Sequence, residues 1–441
     1  MAKVRLRGDR VIWFIVAIFA MISIIAVFSV GSFLTRRNPD IMSKTSIYVE
    51  QFGSVALGFA ALFLCYAFNY NFYRKVAPYV FGISVVMLLM LFVPQLQDNR
   101  NGAVRGLKLF GHTLQVFEFV KVGLIMFISW GLEKYSREIQ TFKGFCLKLL
   151  VWVVAVCACI MVNSFSSALL LALVSMMVFY FMEVRFKFLL WTMGLAVAAV
   201  AVLFGIFHLS VAISPKAAEF PIFNRLGTAE SRIGNFVGKS DSTLDLSKMT
   251  REQKEQMDRE ERQSESAKIA IKEGGLLGKG VGNGSARHSL SMAFSDFIFA
   301  SIIEETGLVG GVLIVLLYLI FLFRCISLSF RCPDAFSQAL VLGLAFLITT
   351  QAFLHILVNV RLLPITGHTL PLISHGGTAY LVLSAAFGII LSVSRTVNKL
   401  EEERKAAEAA AAAEAAGNAE DAEAADPAGE DIPETIKIEE K

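Results

Sequence analysis

The residues of this 441-residue sequence that could do chemistry stand where charge is least expected. The stretch "MAFSDFIFASIIEETGLVGGVLIVLLYLIFLF" (292–323) reads as a membrane span, yet Asp296 stands at its mouth and Glu304 and Glu305 lie within it. A charged side chain at the centre of a spanning helix costs roughly 2.5–3.5 kcal/mol on insertion scales. Such groups persist only with a compensating role: proton transfer, a ligand or a buried partner. On one continuous helix Glu304 would lie about 80° around and about 12 Å deeper than Asp296, with Glu305 on the opposite side. The three cannot act as a single carboxylate pair. Asp296, at the outer mouth, has water access and is a functional candidate. Its other reading is a helix N-cap or first-turn acid favoured by the macrodipole. Glu304 and Glu305 read as supports that need partners in the bundle.

Three further constellations carry polar chemistry. In "LQVFEFVKVG", Gln115, Glu118 and Lys121 step by three, so neighbours can touch along one helix and Glu118 can pair with Lys121. The pair is either structural or part of a site, since ionisable groups at membrane depth are functional candidates. "NGAVRG" (101–106, with Arg105) and "RLGTAESRIGNF" (225–236, with Arg232), together with Lys268, Lys279 and Arg287, make one face rich in cation donors. Arginine matches phosphate oxygens in a bidentate fork, although a solvated loop carries such residues without any ligand. In "QAFLHILVNVRLLPITGHTLPLISHGGTAYLVLSAAFGIILSVSR" (351–395), prolines and glycines interrupt what would otherwise be helix. Irregular backbone at membrane depth is tolerated where it lines a cavity or is buried in protein; a re-entrant hairpin is the simpler alternative.

The elements that must position these groups are set by composition. Apolar residues make up 55% and mean hydropathy is +0.61, with 37 Phe and only 10 Pro. That predicts an all-α, polytopic membrane protein, because the apolar runs are too long and unbroken for barrel strands. Ten runs have spanning length: near 11–33, 50–69, 77–95, 113–132, 147–162, 164–183, 187–210, 296–323, 336–359 and 376–396. Lys and Arg in the short loops place both termini on the cytoplasmic side. The chain then divides into a cytoplasmic N-terminus (1–10), seven spans (11–210), a large extracytoplasmic loop (211–295), three spans (296–396) and an acidic tail (397–441). The loop's charged, proline-free middle, "SKMTREQKEQMDREERQSESAKIAIKE", reads as a surface helix, and glycine-rich "EGGLLGKGVGNGSARHS" follows it. From Glu401 onward, 14 acidic and 4 basic residues give −10, leaving 37 basic and 23 acidic residues, or +14, in the first 400. The low-complexity tail has no core to bury and reads as disordered or transiently helical. The basic body suits anionic membrane lipids and anionic substrates. The six cysteines show neither a disulfide framework nor metal-ligand spacing, and no nucleotide-binding or HExxH signature appears.

"LPITGHTLPLISHGGTAYL", preceded in order by "NGAVRGLKLFGHTLQVFEFVK" and by "SAKIAIKEGGLLGKGVGNG…SDFIFASIIEETGLVG", resembles the signature of the SEDS family (shape, elongation, division and sporulation) over roughly residues 10–396. That resemblance implies a peptidoglycan glycosyltransferase that polymerises lipid II beside a class B penicillin-binding transpeptidase in the bacterial cytoplasmic membrane. By motif, Asp296 takes the place of the family's essential acid, and Glu118 and Lys121 that of its fourth-span polar residues. Arg232 matches an arginine of the large loop, and Pro371, Ser374, Gly376 and Gly377 match its P-x-x-S-x-G-G turn. The final motifs look more like the family's division members, which implies a septal location and other division proteins as partners. Elongation members come second.

The sequence departs at Gly106, where the family has tryptophan, at "QVFE" for "QPSE", and at Ser164, where Asp is frequent. No role is carried over to those positions. The implied chemistry needs a base, Asp296, and cations for the departing pyrophosphate. Arg232, Lys268, Lys279 and Arg105 are the candidates, and a divalent ion such as Mg or Mn could assist; no other cofactor and no nucleic acid is expected. A flippase for lipid-linked precursors and a scaffold recruiting a transpeptidase are the rival readings.

Overall fold

The computed structural model describes residues 8–37, 44–93, 95, 97–100, 103–109, 112–213, 227, 251–284 and 295–424. Each of the ten apolar runs falls on a helix: α1 (Arg10–Arg37), α2 (Lys44–Ala67), α3 (Tyr70–Met90), α4 (Val116–Lys134), α5 (Phe142–Met161, with a π-helical turn at Cys146–Leu150), α6 (Phe165–Phe181), α7 (Phe186–Ile213), α9 (Ile298–Ser329), α10 (Ala335–Asn359) and α11 (Thr378–Ala424). The loop helix is α8 (Arg251–Gly274), within the charged segment expected to form one. Among the described residues, seven of these helices are long and apolar enough to cross a membrane. Phe14, Leu57, Tyr79, Trp191 and Leu195 point outward. Such a surface is what hydrocarbon, not water, stabilises.

Burial grades the helices. α10 is the central column, its apolar window 78% buried, packed on α4, α6, α9 and α11, whereas the window of α7 is 11% buried. Local signals set several helix starts. Asp9 Oδ1 accepts from Val11 N (2.8 Å), Ser164 Oγ from Ser167 N (3.4 Å) and Asp334 Oδ1 from Ser337 N (2.8 Å). Each satisfies an amide that the helix itself cannot.

The expected all-α, polytopic architecture holds, and three details add to the sequence reading. First, a short sheet sits among the helices. Strands β1 (Gln97–Arg100), β2 (Ala103–Leu109) and β3 (His112–Leu114) form an antiparallel sheet in the order β1-β2-β3, with Arg100 opposite Ala103 and Leu107 opposite Leu114. The Asn-Gly pair in "NGAVRG" was the available signal for a hairpin. Gly106 has a packing reason, since a Cβ there would sit 2.6 Å from Thr113 Cγ2 and 2.9 Å from the Leu114 carbonyl. Second, α11 continues to Ala424, so part of the acidic tail, expected to be disordered or transiently helical, is helical, as its Ala and Glu content favours. Third, α9 is not one continuous helix from Asp296. It starts at Ile298 and breaks at Gly307 (φ 75°, ψ −175°), which removes the basis for projecting angles along it.

The break in α9 is filled by the glycine-rich turn after α8. Lys279 N and Gly280 N donate to the Glu304 and Glu305 carbonyls (both 2.9 Å), and Leu308 N donates back to Gly275 O (3.0 Å). A Cβ on Gly307 would lie 2.2 Å from the Leu276 carbonyl, and one on Gly278 2.2 Å from that of Glu305. "EGGLLGKG" is therefore glycine-rich because two backbones touch there.

Candidate active site

Asp296, Glu118 and the irregular 360–377 segment, three separate features in the sequence, meet at one pocket. A cavity of ≈ 80 Å³ is lined by Gln115, Phe117 and Glu118 from the start of α4, by Ser164 and Ser167 from the start of α6, by Ser295 and Asp296 just before α9, and by Thr366–Thr369. That space holds a few waters or one edge of a sugar ring.

Glu118 is nine-tenths buried and sits in the first turn of α4. Its Oε1 takes a hydrogen bond from Lys121 Nζ (2.6 Å), which is wholly buried and also donates to Gln351 Oε1 (2.6 Å). The step of three thus closes as an ion pair, with Gln351 of α10 as an unforeseen third member. Glu118 Oε2 is buried without a hydrogen-bond partner. A buried carboxylate oxygen left unpaired is costly, and this one belongs to a pocket-lining side chain.

Asp296 does not cap α9. The cap position is Phe297, which offers no side-chain bond, and the first turn of the helix carries no acid. Asp296 is partly exposed, and its Oδ1 accepts from the Ser295 hydroxyl (2.8 Å). Its backbone is held from two sides. Ser374 Oγ donates to Ser295 O (2.9 Å) and accepts from Leu370 N (2.8 Å), while Asn359 Nδ2 donates to Asp296 O (3.1 Å).

The far wall is equally fixed. Ser166 Oγ donates to Thr366 O (3.1 Å), His355 Nδ1 to His368 O (2.7 Å) and Gln351 Nε2 to Thr369 O (3.2 Å). A carbonyl can only accept, so His355 carries its proton on Nδ1. The neighbouring turn is tied to α1 and α2: His375 Nδ1 donates to Gln51 Oε1, Gln51 Nε2 to Ser23 Oγ (2.9 Å), and Ser23 Oγ to Ile373 O (3.0 Å). Gly376 and Gly377 lie in the turn before α11, and Gly377 takes a positive φ of 44°. The P-x-x-S-x-G-G segment thus forms irregular, partly buried backbone that buttresses the pocket.

Glu304, Glu305, Lys268 and Lys279 do not line the pocket. Glu304 receives Lys279 Nζ (3.0 Å), and Glu305 accepts from the Ser29 hydroxyl of α1, so the two face different partners. Lys279 is bonded to Glu273 and Glu304, and these two carboxylates hold its ammonium above the ordinary lysine range. Lys268 is exposed on α8, whose Ala267 and Ala270 pack on Phe297 and Ala300 at the start of α9. Arg105 lies on β2, and Arg232 and Arg287 fall outside the described residues. Among the described residues, no cluster of three or more His, Cys, Asp or Glu is placed to hold a metal.

Sequence reasoning missed Gln351, His355 and Asn359. Their signal was a spacing of four in "QAFLHILVN", which lines one face of a helix. All three are buried, and together they bond both walls of the pocket.

Comparison with known proteins gives one consistent result. A family model for FtsW, RodA and SpoVE, described as cell cycle protein, matches residues 9–399. A curated relative from Geobacter sp. (strain M18), "Probable peptidoglycan glycosyltransferase FtsW", is 25% identical over 88% of this chain and 96% of its own length. One of the same name from Thioalkalivibrio sulfidiphilus is 28% identical over 78% and 80%. Among solved structures, a chain of a peptidoglycan synthase complex aligns with a TM-score of 0.62 at 20% identity, covering 88% of this chain and 98% of that one. The rod shape determining protein RodA of Thermus thermophilus aligns with a TM-score of 0.58 at 20% identity, covering 88% and 97%.

Proposed function

The chain belongs to the FtsW/RodA/SpoVE family of cell cycle proteins, and on that footing we propose that it is a membrane-embedded peptidoglycan glycosyltransferase that polymerises lipid II. The observation that carries the site is the pocket itself: Asp296 is turned into it by backbone bonds from Ser374 and Asn359, beside a buried Glu118 oxygen with no partner. Both oxygens are acceptors, and a sugar hydroxyl is the donor such a pocket fits.

In the proposed step, the acceptor's N-acetylglucosamine 4-hydroxyl enters the pocket and Asp296 takes its proton. The oxygen bonds to C1 of the donor's N-acetylmuramic acid as the C1–O bond to undecaprenyl pyrophosphate breaks. Attack from the side opposite the leaving group inverts C1 and yields a β-1,4 link. The leaving pyrophosphate keeps the bonding electrons, and cations of the large loop, Arg232 and Lys268 among them, offset its charge, with a divalent ion as a further aid. Lys121 holds Glu118 in place. The relatives' names support a role in division, at the septum, and the synthase-complex likeness supports a class B transpeptidase as partner.

The test is a reconstituted assay with purified lipid II, with and without a class B transpeptidase. Glycan chains from the wild type, none from Asp296→Asn, and a rate that responds to EDTA followed by Mg or Mn are expected. Lipid II crossing the bilayer without chain formation would overturn the enzyme reading in favour of a flippase.

A further inference from the structure

Helices α1, α5, α6 and α10 take a side-chain cap from the residue just before them, whereas α9 does not. Phe297 occupies its cap position and contributes no side-chain bond. The missing acceptor comes from another helix: Asn359, at the end of α10 and 59 residues away in sequence, accepts from Ala300 N through Oδ1 (3.0 Å). The same amide donates through Nδ2 to the Asp296 carbonyl (3.1 Å) and to the carbonyl of His355 one turn back (2.8 Å). Its side chain is wholly buried, so no water can replace these bonds.

An acid just before a helix is ordinarily drawn into the cap, where free N–H groups and the macrodipole bind it. Here Ala300 N is already taken and the carbonyl of Asp296 is pinned by the same group. The Asp296 carboxylate is released from capping, keeps only the Ser295 hydroxyl, and lines the pocket. We infer that Asn359 is a positioning residue for Asp296: it caps α9 in trans so that the acid stays available for proton transfer. This rests on the reading of Asp296 as the base.

Two substitutions separate positioning from general support. Asn359→Leu keeps the branched shape at a larger volume and removes all three bonds. Asn359→Asp keeps the acceptor for Ala300 N and removes the donor to Asp296 O. In lipid II polymerisation, Asn359→Leu lowers kcat about 10- to 100-fold, the effect of a misplaced reacting group, with KM within about twofold. It also moves the acidic limb of the pH–rate profile, because the base has a new environment. A role in folding alone would lower the amplitude of that profile and leave its shape intact.

Hydrogen exchange at Ala300 reads the cap without using activity: Asn359→Leu speeds it about tenfold or more, and Asn359→Asp restores most of the protection. Faster exchange at Ala300 with an unchanged rate and pH profile overturns the inference. If instead Asp296→Asn keeps its activity, it is the base reading that fails, and carbodiimide coupling to the Asp296 carboxylate then decides positioning: a changed coupling rate in Asn359→Leu upholds it and an unchanged rate rejects it.

Discussion

At the end of the bundle that carries the N-terminus, Asp9 is buried, and both of its oxygens are used. Oδ1 accepts from Val11 N (2.8 Å), and Oδ2 takes Arg324 through Nε (3.0 Å) and a second guanidinium nitrogen (2.5 Å). Nearby, Arg74 binds Glu133 (2.8 Å) and Asp334 (2.9 Å), and Asp334 also caps α10. At the opposite end, Asp296 has one hydroxyl partner and Glu118 Oε2 has none. The same residue type, at similar membrane cost, is saturated at one end and left with spare acceptor capacity at the other. Saturated acids hold helices together, whereas unused lone pairs facing a cavity leave acceptor capacity for a hydrogen-bond donor.

The comparison breaks first on a matched pair of substitutions. Asp296→Asn lowers polymerisation by about 10²- to 10⁴-fold, the share of general base catalysis, and leaves the unfolding temperature of the solubilised protein unchanged. Asp9→Asn does the reverse. It spoils one charge-assisted interaction, costs about 1–3 kcal/mol of stability, and leaves the rate per folded molecule intact. A fall in rate for Asp9→Asn at full stability would show that saturation is no guide to role.

Next in size is the loss of a cation. Lys121→Met strands Glu118 as an unpaired buried charge and costs about 3–5 kcal/mol, read as a lowered denaturation midpoint together with lost activity. Arg74→Met at the other end costs about 1 kcal/mol or less, because Glu133 and Asp334 keep side-chain exposures of 29% and 19%. Equal losses at both ends would mean that the pocket end is no drier than its counterpart.

How much of this was legible in the sequence follows from the range of each interaction. Spans, the α8 helix and the Glu118–Lys121 pair are local: period, length and a step of three were enough. The identity of Asp296 as the chemical candidate came with its motif. That it shares a pocket with Glu118 did not, because the two lie 178 positions apart and are brought together only by α10. The partners of Asp296, Ser374 and Asn359, act through backbone atoms 79 and 63 residues away, and no periodicity marks such a bond. The sheet was hidden by shortness, with strands of 4, 7 and 3 residues set between long apolar runs. The kink at Gly307 is visible only once the turn that fills it is docked.

The smallest effect belongs to the tail, which carries charge of a third kind. Between Asn398 and Ala412 no residue of α11 is buried, and Lys399–Glu403 (3.3 Å) and Arg404–Glu408 (2.7 Å) are pairs within the helix. Such exposed pairs are each worth about 0.3–0.5 kcal/mol to the helix and nothing to the bundle. The bond from Arg331 to Glu401 (3.2 Å) ties the first turn of the tail to the body and is itself exposed. Truncation after Arg404 keeps that bond, so the unfolding temperature and the rate of lipid II polymerisation should both stay at wild-type values. A fall in either would place a contact of the tail on the bundle, and the acidic segment would then belong with the saturated charges rather than with solvated ones.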